Sequence, residues 1–224
     1  MSAAPLNSVV LAGGASSRMG IDKSLIRYHR EPQVRHLVTM LEGLTERVFV
    51  SVRRGQGSAE FAGLRLIPDR EDDVGPLEGV LGAFEREPGA AWLVVAVDMP
   101  FVTEQTLARL IAARAPQFCC TAYENPETGM PEPVLAIYEP TILSTLRKRK
   151  ITGRHSLMVI QDLPHRLIRA ADPRELRNVN TADEYEGLLN GGESGGGELG
   201  EAPGADSPGD VPVSLRGRPA GAIS

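Results

Sequence analysis

The stretch that decides the fold is Trp92-Leu93-Val94-Val95-Ala96-Val97, which ends at Asp98. Its apolar residues do not alternate with polar ones, which is typical of a central strand buried on both faces of a sheet. On either side of it, apolar runs rich in β-branched residues alternate with segments of helical period. This alternation predicts an α/β fold with a mostly parallel central sheet and helices on both faces.

The same patterns place the individual elements. Runs of β-branched and apolar residues predict strands at 8–11, 47–52, 64–67, 92–97, 118–122, 134–138 and 166–168. Apolar residues at helical spacing predict helices at 32–44, around 77–84, after a cap at Thr103 and at 155–160. Thr181 and Glu184 have the spacing of a capping box, so a last helix is expected just after Asn180.

The length and composition of the chain predict one domain with a tail. At 224 residues the chain can bury a full-sized core, and we predict one folded domain over residues 1–190. Residues 191–224 begin with mostly Gly, Glu, Ser, Pro and Asp, a composition that buries too little apolar surface to offset the entropy of ordering. We therefore expect this tail to be disordered.

Charge and hydropathy exclude several classes of partner. A formal net charge of −5 argues against nucleic acid and against anionic membranes, both of which attract basic surfaces. No apolar run approaches the roughly 18 residues of a membrane span, and the first residues lack the features of a signal peptide. The two cysteines are adjacent, and the four histidines show no ligand spacing. We expect a soluble, cytoplasmic protein.

A glycine-rich segment follows the first predicted strand. It reads Leu11-Ala12-Gly13-Gly14-Ala15-Ser16-Ser17-Arg18-Met19-Gly20-Ile21-Asp22-Lys23. The small residues let backbone N–H groups approach a phosphate chain, and Arg18 and Lys23 supply positive charge to its oxygens. The glycine spacing fits neither the dinucleotide fingerprint nor the Walker loop. The segment predicts a site for a triphosphate.

This segment resembles the signature of the molybdenum cofactor guanylyltransferases, a branch of the Rossmann-like nucleotidyltransferases. Further matches follow in order along the chain: Pro68-Asp69, Gly75-Pro76-Leu77-Glu78-Gly79, Asp98-Met99-Pro100-Phe101 and Asn178-Val179-Asn180-Thr181. The resemblance implies transfer of GMP from GTP to the phosphate of molybdopterin-bound molybdenum, with Mg²⁺ as cofactor. The expected partners are GTP, a molybdopterin-type cofactor, and the molybdoenzymes or chaperones that receive the product.

The resemblance also implies roles for single residues. Arg18, Lys23 and Asp98 are the expected catalytic residues. Asp98 ends a buried parallel strand, where a carboxylate can hold Mg²⁺ against phosphate oxygens, although an aspartate before a Pro-containing turn can also be only a cap. Asn180 either is a second metal ligand or only shapes a turn. The residues expected to bind the nucleotide are Leu11, Ala12, Gly13, Gly14, Lys23, Asp69, Gly75 and Asp98.

Three alternatives remain open from the sequence. They are a cytidylyltransferase acting on the same pterin, a sugar-phosphate nucleotidyltransferase, and a non-catalytic nucleotide-binding or delivery protein. Gly13-Gly14 favours guanine, because the cytidylyl branch typically has Ala-Gly there. One departure stands against this: the family often has an asparagine near the base after the second strand, and this chain has Ser51-Val52-Arg53-Arg54. That contact with the base stays open.

Overall fold

One seven-stranded sheet forms the centre of the computed structural model, in the order β3-β2-β1-β4-β6-β5-β7. The structure describes residues 3–13, 23–57, 59–71, 75–179, 181, 183–184 and 186–187. The strands are β1 (Leu6–Leu11), β2 (Val48–Val52), β3 (Leu66–Pro68), β4 (Ala91–Ala96), β5 (Cys120–Glu124), β6 (Pro131–Tyr138) and β7 (His165–Ile168). The α-helices are α1 (Gln33–Glu42), α2 (Pro76–Arg86), α3 (Glu104–Ala112) and α4 (Leu143–Ile151).

The sheet is parallel except for one strand. β1 pairs in parallel with β2 and β4, β2 with β3, and β5 with β7, whereas β6 is antiparallel to both of its neighbours. The reversal follows from the short turn between β5 and β6, in which Gly129 has a φ of +67° and its N–H donates to the carbonyl of Asn125. So tight a connection permits only antiparallel pairing. The predicted mostly parallel α/β fold is confirmed.

Helices cover both faces of this sheet. α1 and α3 pack on one face, where Leu37 and Leu107 contribute to the same core as Leu93 of β4. α2 and α4 pack on the other face, where Phe84 and Leu146 lie in the second core. From Ala91 to Val95, successive β4 residues point alternately into the two cores, and the whole strand is buried. Because both faces are covered, β4 has no need of polar residues, as its sequence predicts.

The region around α4 differs from the sequence-based expectation. The basic run Arg147–Lys150 lies inside α4, a helix that the pattern did not predict because only Leu143 and Leu146 are buried along it. The helix expected at 155–160 is instead a 3₁₀ segment at Leu157–Asp162, which begins where the Ser156 side chain accepts from the N–H of Met158. The segment ends at Asp162, two residues before Pro164, and a helix that starts at this cap is limited to about two turns.

The sequence also predicts two helix starts, one at a Thr103 cap and one just after Asn180. Thr103 caps α3: its side chain accepts from the N–H of Thr106 (3.1 Å), and the Thr106 side chain accepts from the N–H of Thr103 (3.2 Å). At the end of the described chain, the N–H of Glu184 donates to Thr181 Oγ1 (3.1 Å), while Asn180 and the 191–224 tail lie outside the described residues. Among the helices that are described, none has the length and apolar character needed to cross a bilayer.

The contact of α2 with the sheet depends on a glycine. A Cβ at Gly79 would lie 2.6 Å from Leu11 Cδ2 and 2.6 Å from Ser51 Oγ, which is closer than real Cβ atoms approach. Leu11 and Ser51 are at the carboxyl ends of β1 and β2. The missing side chain therefore allows α2 to lie directly on the sheet edge that carries the predicted nucleotide site.

We expect Gly79→Ala to lower the free energy of unfolding by about 1–3 kcal/mol, because the added methyl group must push α2 away from β1 and β2. Chemical denaturation measures this loss. Gly43→Ala is the matched control, since its Cβ would meet only Met40 O at an ordinary 3.8 Å and its φ is −80°. A destabilisation no larger at Gly79 than at Gly43 would contradict the close packing described here.

Candidate active site

The predicted site residues follow the carboxyl ends of neighbouring parallel strands. β1 leads into Ala12-Gly13, β3 into Asp69 and β4 into Asp98. Backbone hydrogen bonds continue past the strand ends and hold these residues together. The N–H of Ala12 donates to Ser51 O (2.9 Å), and the N–H of Val97 donates to Leu11 O (3.2 Å). In open α/β sheets this edge is where ligands bind.

Asp98 and Lys23 form an ion pair at this edge. Lys23 Nζ lies 3.9 Å from Asp98 Oδ2, and the two side chains are 22% and 28% exposed. Burial raises the pKa of Asp98, and the charge of Lys23 opposes the rise. The other oxygen, Asp98 Oδ1, is buried and has no hydrogen-bond partner among the described residues. The site therefore contains a partly desolvated carboxylate with one oxygen facing a cation.

The segment before Asn180 contacts Asp98 through the backbone. The N–H of Val179 donates to Asp98 O (2.7 Å), and Tyr28 Oη donates to Val179 O (3.2 Å). Burial, with smaller contributions from Asp98 and Glu184, raises the pKa of Tyr28 to about 12, so this hydroxyl stays a donor at neutral pH. These bonds bring the chain to the carboxylate immediately before Asn180.

Asp69 lies against the glycine-rich segment. Its Oδ1 accepts from Ser51 Oγ (2.8 Å), and its N–H donates to Val52 O (2.8 Å). A Cβ at Gly13 would lie 2.5 Å from Asp69 Oδ2, so an alanine there would collide with the carboxylate. Glycine is therefore required for Asp69 to approach the turn after β1.

A buried glutamate supports the loop that carries Asp69. Glu78 is 3% exposed, and its Oε1 accepts from the N–H of Arg70 (3.0 Å) while its Oε2 accepts from Lys150 Nζ (2.7 Å). Lys150 also pairs with Glu71 at 3.2 Å. The basic run of α4 is thus not only a solvated face, because Lys150 connects α4 to the nucleotide side of the sheet.

Comparison with known proteins identifies the family. Residues 8–166 match the MobA-like NTP transferase domain. The chain belongs to this family. Relatives include the molybdenum cofactor guanylyltransferase of Xanthomonas euvesicatoria, 31% identical over 193 residues that make up 83% of this chain and 95% of that protein. The molybdenum cofactor biosynthesis bifunctional protein of Synechocystis is 33% identical, over 83% of this chain and 54% of the relative, so the chain spans about half that protein's length.

Solved structures of other proteins share the fold. Molybdopterin-guanine dinucleotide biosynthesis protein A from Archaeoglobus fulgidus superposes with a TM-score of 0.64 at 19% identity, over 80% of this chain and 95% of the other. CMP:2-keto-3-deoxy-manno-octonic acid synthetase, solved with CTP, gives 0.62 at 12% identity, over 86% and 100%. The fold alone therefore does not choose the nucleotide.

The MobA-like fold brings most of the predicted site residues to one edge. Their roles stay predictions, and Gly14, Arg18 and Asn180 lie outside the described residues. Leu11 is the last residue of β1, and Ala12 and Gly13 follow it. Asp69 follows β3, Asp98 follows β4, and Gly75 directly precedes α2. Lys23 reaches the same edge through its ion pair with Asp98. Gly75 caps α2 with a φ of +76°, a left-handed conformation that favours glycine.

Sequence reasoning missed several residues of this edge. Ser51 bonds Asp69, Tyr28 braces Val179, and Glu78 holds the Asp69 loop. Glu132 begins β6 near Asp98, and its pKa is raised by burial and, to a smaller extent, by the charge of Asp98. The available signal was the presence of polar residues inside otherwise apolar elements, as with Ser51 in β2 and Glu78 in α2.

We expect Asp98→Asn to raise the free energy of unfolding of the metal-free protein at pH 7. Because the folded-state pKa of Asp98 is raised, the folded chain holds the proton more tightly, and its stability falls as the pH rises above the ordinary value of 3.8. Asparagine avoids that loss. Urea denaturation of both proteins at pH values from about 3 to about 7 covers the titration of an ordinary aspartate. We expect the difference between their free energies of unfolding to grow as the pH rises.

The controls use a second site and the paired lysine. Asp162→Asn makes the same change at an exposed aspartate and should alter the free energy of unfolding less than Asp98→Asn does. Lys23→Met removes the charge that lowers the pKa of Asp98, so Asp98→Asn should stabilise that background more than it stabilises the wild type. A less stable Asp98→Asn protein at pH 7 would contradict the account of a costly buried charge.

Proposed function

We propose that this chain transfers GMP from GTP to the terminal phosphate of a molybdopterin-type cofactor and releases pyrophosphate. The observation that carries the proposal is the Lys23–Asp98 pair, 3.9 Å apart, beside Ala12-Gly13 at the carboxyl edge of the sheet. The names of its relatives, including the probable molybdenum cofactor guanylyltransferase of Methanosarcina mazei at 31% identity over 203 residues, support the same reaction.

The chemistry needs positioning more than proton transfer. A phosphate oxygen of the acceptor attacks the α-phosphorus of GTP in line and forms a new P–O bond. The bond from the α-phosphorus to the bridging oxygen breaks, and pyrophosphate leaves with that electron pair. The attacking phosphate is already ionised at neutral pH, so no protein base has to remove a proton. Catalysis then rests on orientation and on charge stabilisation.

Lys23 and the glycine-rich segment supply the triphosphate contacts in this proposal. Lys23 offers its ammonium group to the triphosphate oxygens, and Gly13 leaves the backbone open to close approach. Arg18 and Gly14 are proposed to act with them. Asp69, held by Ser51, is proposed to accept hydrogen bonds from the base or ribose. A GTP molecule bound in this way would lie across the ends of β1, β3 and β4.

Asp98 fits a role as the ligand of a divalent cation. Its Oδ1 is buried and has no protein hydrogen-bond partner among the described residues, whose side chains also include no cluster of three or more metal-binding groups. A cation held by one carboxylate would take its remaining oxygens from water, from the triphosphate and, in our proposal, from Asn180. We propose Mg²⁺, which would neutralise charge on the phosphates.

The cellular compartment and the proteins that receive the product are also part of the proposal. We propose that the protein works in the cytoplasm and that molybdoenzymes or their chaperones receive the dinucleotide product. A cytidylyltransferase on the same pterin and a sugar-phosphate nucleotidyltransferase share the fold, and a non-catalytic nucleotide-binding protein would share the binding edge. The carboxylate opposite a cationic lysine favours catalysis, because simple binding gains little from a metal ligand there.

A panel of substrates tests the reaction. We expect pyrophosphate release from GTP with the molybdopterin-type cofactor as acceptor, and at least about tenfold less from CTP, ATP or UTP, since base contacts typically discriminate by that much. Hexose phosphates should not serve as acceptors. Release from CTP alone would favour the cytidylyl alternative, and release with hexose phosphates would favour the sugar enzyme.

Two substitutions test the proposed residues. We expect Asp98→Ala to lower kcat/KM by about 10³-fold, because the metal-held charge stabilisation is worth several kcal/mol. Lys23→Ala should weaken GTP binding and slow the reaction together, by roughly 10²-fold. Calorimetric titration and initial rates measure these losses. Glu42→Ala, at the exposed carboxyl end of α1, is the control, and unchanged turnover in Asp98→Ala would favour the binding-protein alternative.

A further inference from the structure

We propose that Arg53 recognises the guanine base by donating hydrogen bonds from its guanidinium to the O6 and N7 acceptors. The proposal rests on the GTP-dependent function above and assigns the base contact that the sequence left open. Arg53 follows β2 directly, at the same edge as Gly13 and Asp69. A guanidinium fork matches two neighbouring acceptors on one edge of guanine.

Arg53 lies against the turn that is expected to hold the nucleotide. A Cβ built at Gly13 would be 3.3 Å from the backbone N of Arg53 and 3.5 Å from its Cγ. The first part of the Arg53 side chain therefore passes beside the Gly13 α-carbon. A nucleotide bound over Gly13 would meet this arginine.

Gln56 holds Arg53 in that position. The N–H of Arg53 donates to Gln56 Oε1 (2.9 Å), and Gln56 Nε2 donates to Ala12 O (3.3 Å). One glutamine side chain thus links the loop after β2 to the turn after β1. Such bracing fixes the backbone of Arg53 before a ligand binds, which lowers part of the entropy cost of recognition.

The guanidinium has hydrogen-bonding capacity to offer. Arg53 Nε is buried and has no hydrogen-bond partner, and Arg53 takes part in none of the ion pairs found in the described part of the chain. The next residue differs, because the Arg54 guanidinium donates to Arg70 O. A buried donor without an acceptor is costly, so an acceptor on a ligand would gain from meeting it.

The charges around Gly13 select among the bases. Arg53, a hydrogen-bond donor, and Asp69, an acceptor, both lie against this glycine, with Arg53 Cγ 3.5 Å and Asp69 Oδ2 2.5 Å from the same built Cβ. Guanine presents both acceptors, at O6 and N7, and donors, at N1 and N2. Adenine presents an amino donor where guanine has O6, and that donor would face the guanidinium unfavourably. The pair of residues therefore complements guanine.

The test compares GTP with 7-deaza-GTP, which lacks the N7 acceptor, and with ATP. For the wild type we expect kcat/KM to fall roughly tenfold or more from GTP to 7-deaza-GTP, mainly through KM. Arg53→Ala should lower kcat/KM for GTP to a similar extent and should then show almost no further loss with 7-deaza-GTP. The GTP to ATP preference should shrink in the same variant. If the losses caused by removing the Arg53 guanidinium and by removing N7 of the base do not add, the two groups are in direct contact.

Two further variants separate recognition from general effects. Arg54→Ala removes the neighbouring arginine and should keep the wild-type preference for GTP over 7-deaza-GTP. Arg53→Lys keeps the positive charge without the planar fork, and should retain affinity for triphosphate while losing part of that preference. Thermal melting of each variant checks that the chain is folded.

Two results would overturn the proposal. Equal losses in Arg53→Ala for GTP, 7-deaza-GTP and ATP would mean that the guanidinium holds phosphate, and an unchanged preference would mean that it does not touch the base. If the wild type released pyrophosphate from no nucleotide, the proposed reaction would fail separately. Calorimetric binding of GTP and 7-deaza-GTP to wild type and Arg53→Ala would then decide the role of Arg53 by the same comparison.

Discussion

β4 lies in the middle of the sheet with all of its side chains buried, and Asp98 is the first charged residue after it. Covering both faces of this strand requires helices on both sides, and the parallel connections bring the ends of β1, β3 and β4 to one edge. The carboxylate is thus placed where the core stops. Its partial burial raises its pKa, and Lys23 offsets part of that cost. A buried carboxylate that is costly to the folded protein is common at sites where function takes precedence over stability.

Close backbone approach builds the rest of the edge. Gly79 lets α2 lie on β1 and β2, and Gly13 leaves space for the Asp69 carboxylate. Behind them, Glu78 joins the loop after β3 to Lys150 of α4. These contacts connect α2 and α4, the two helices on one face of the sheet, to the same few residues. The position of Asp69 therefore depends on α2 and α4 as well as on its own strand.

The family fold serves enzymes that use different nucleotides, as the likeness to a structure solved with CTP illustrates. The choice of base must come from side chains at the edge and not from the sheet. In this chain Ser51 lies in β2 and Arg53 directly follows it, and the structure gives the two residues different surroundings. Ser51 is buried and bonds Asp69, whereas Arg53 extends beside Gly13.

Much of the architecture could be predicted from local patterns. The apolar run of β4, the helical face of Leu77, Val80 and Phe84, and the Thr103 cap each depend on residues close together in the chain, so their sequences specify them. Motif spacing also placed Asp69 and Asp98 after strands. The pairing of β6 with β4, and the contacts of Ser51 with Asp69, Glu78 with Lys150 and Arg53 with Gly13, were decided only by the tertiary structure. They join segments that are far apart in the chain, and no local pattern records which distant residues the packed sheet brings together.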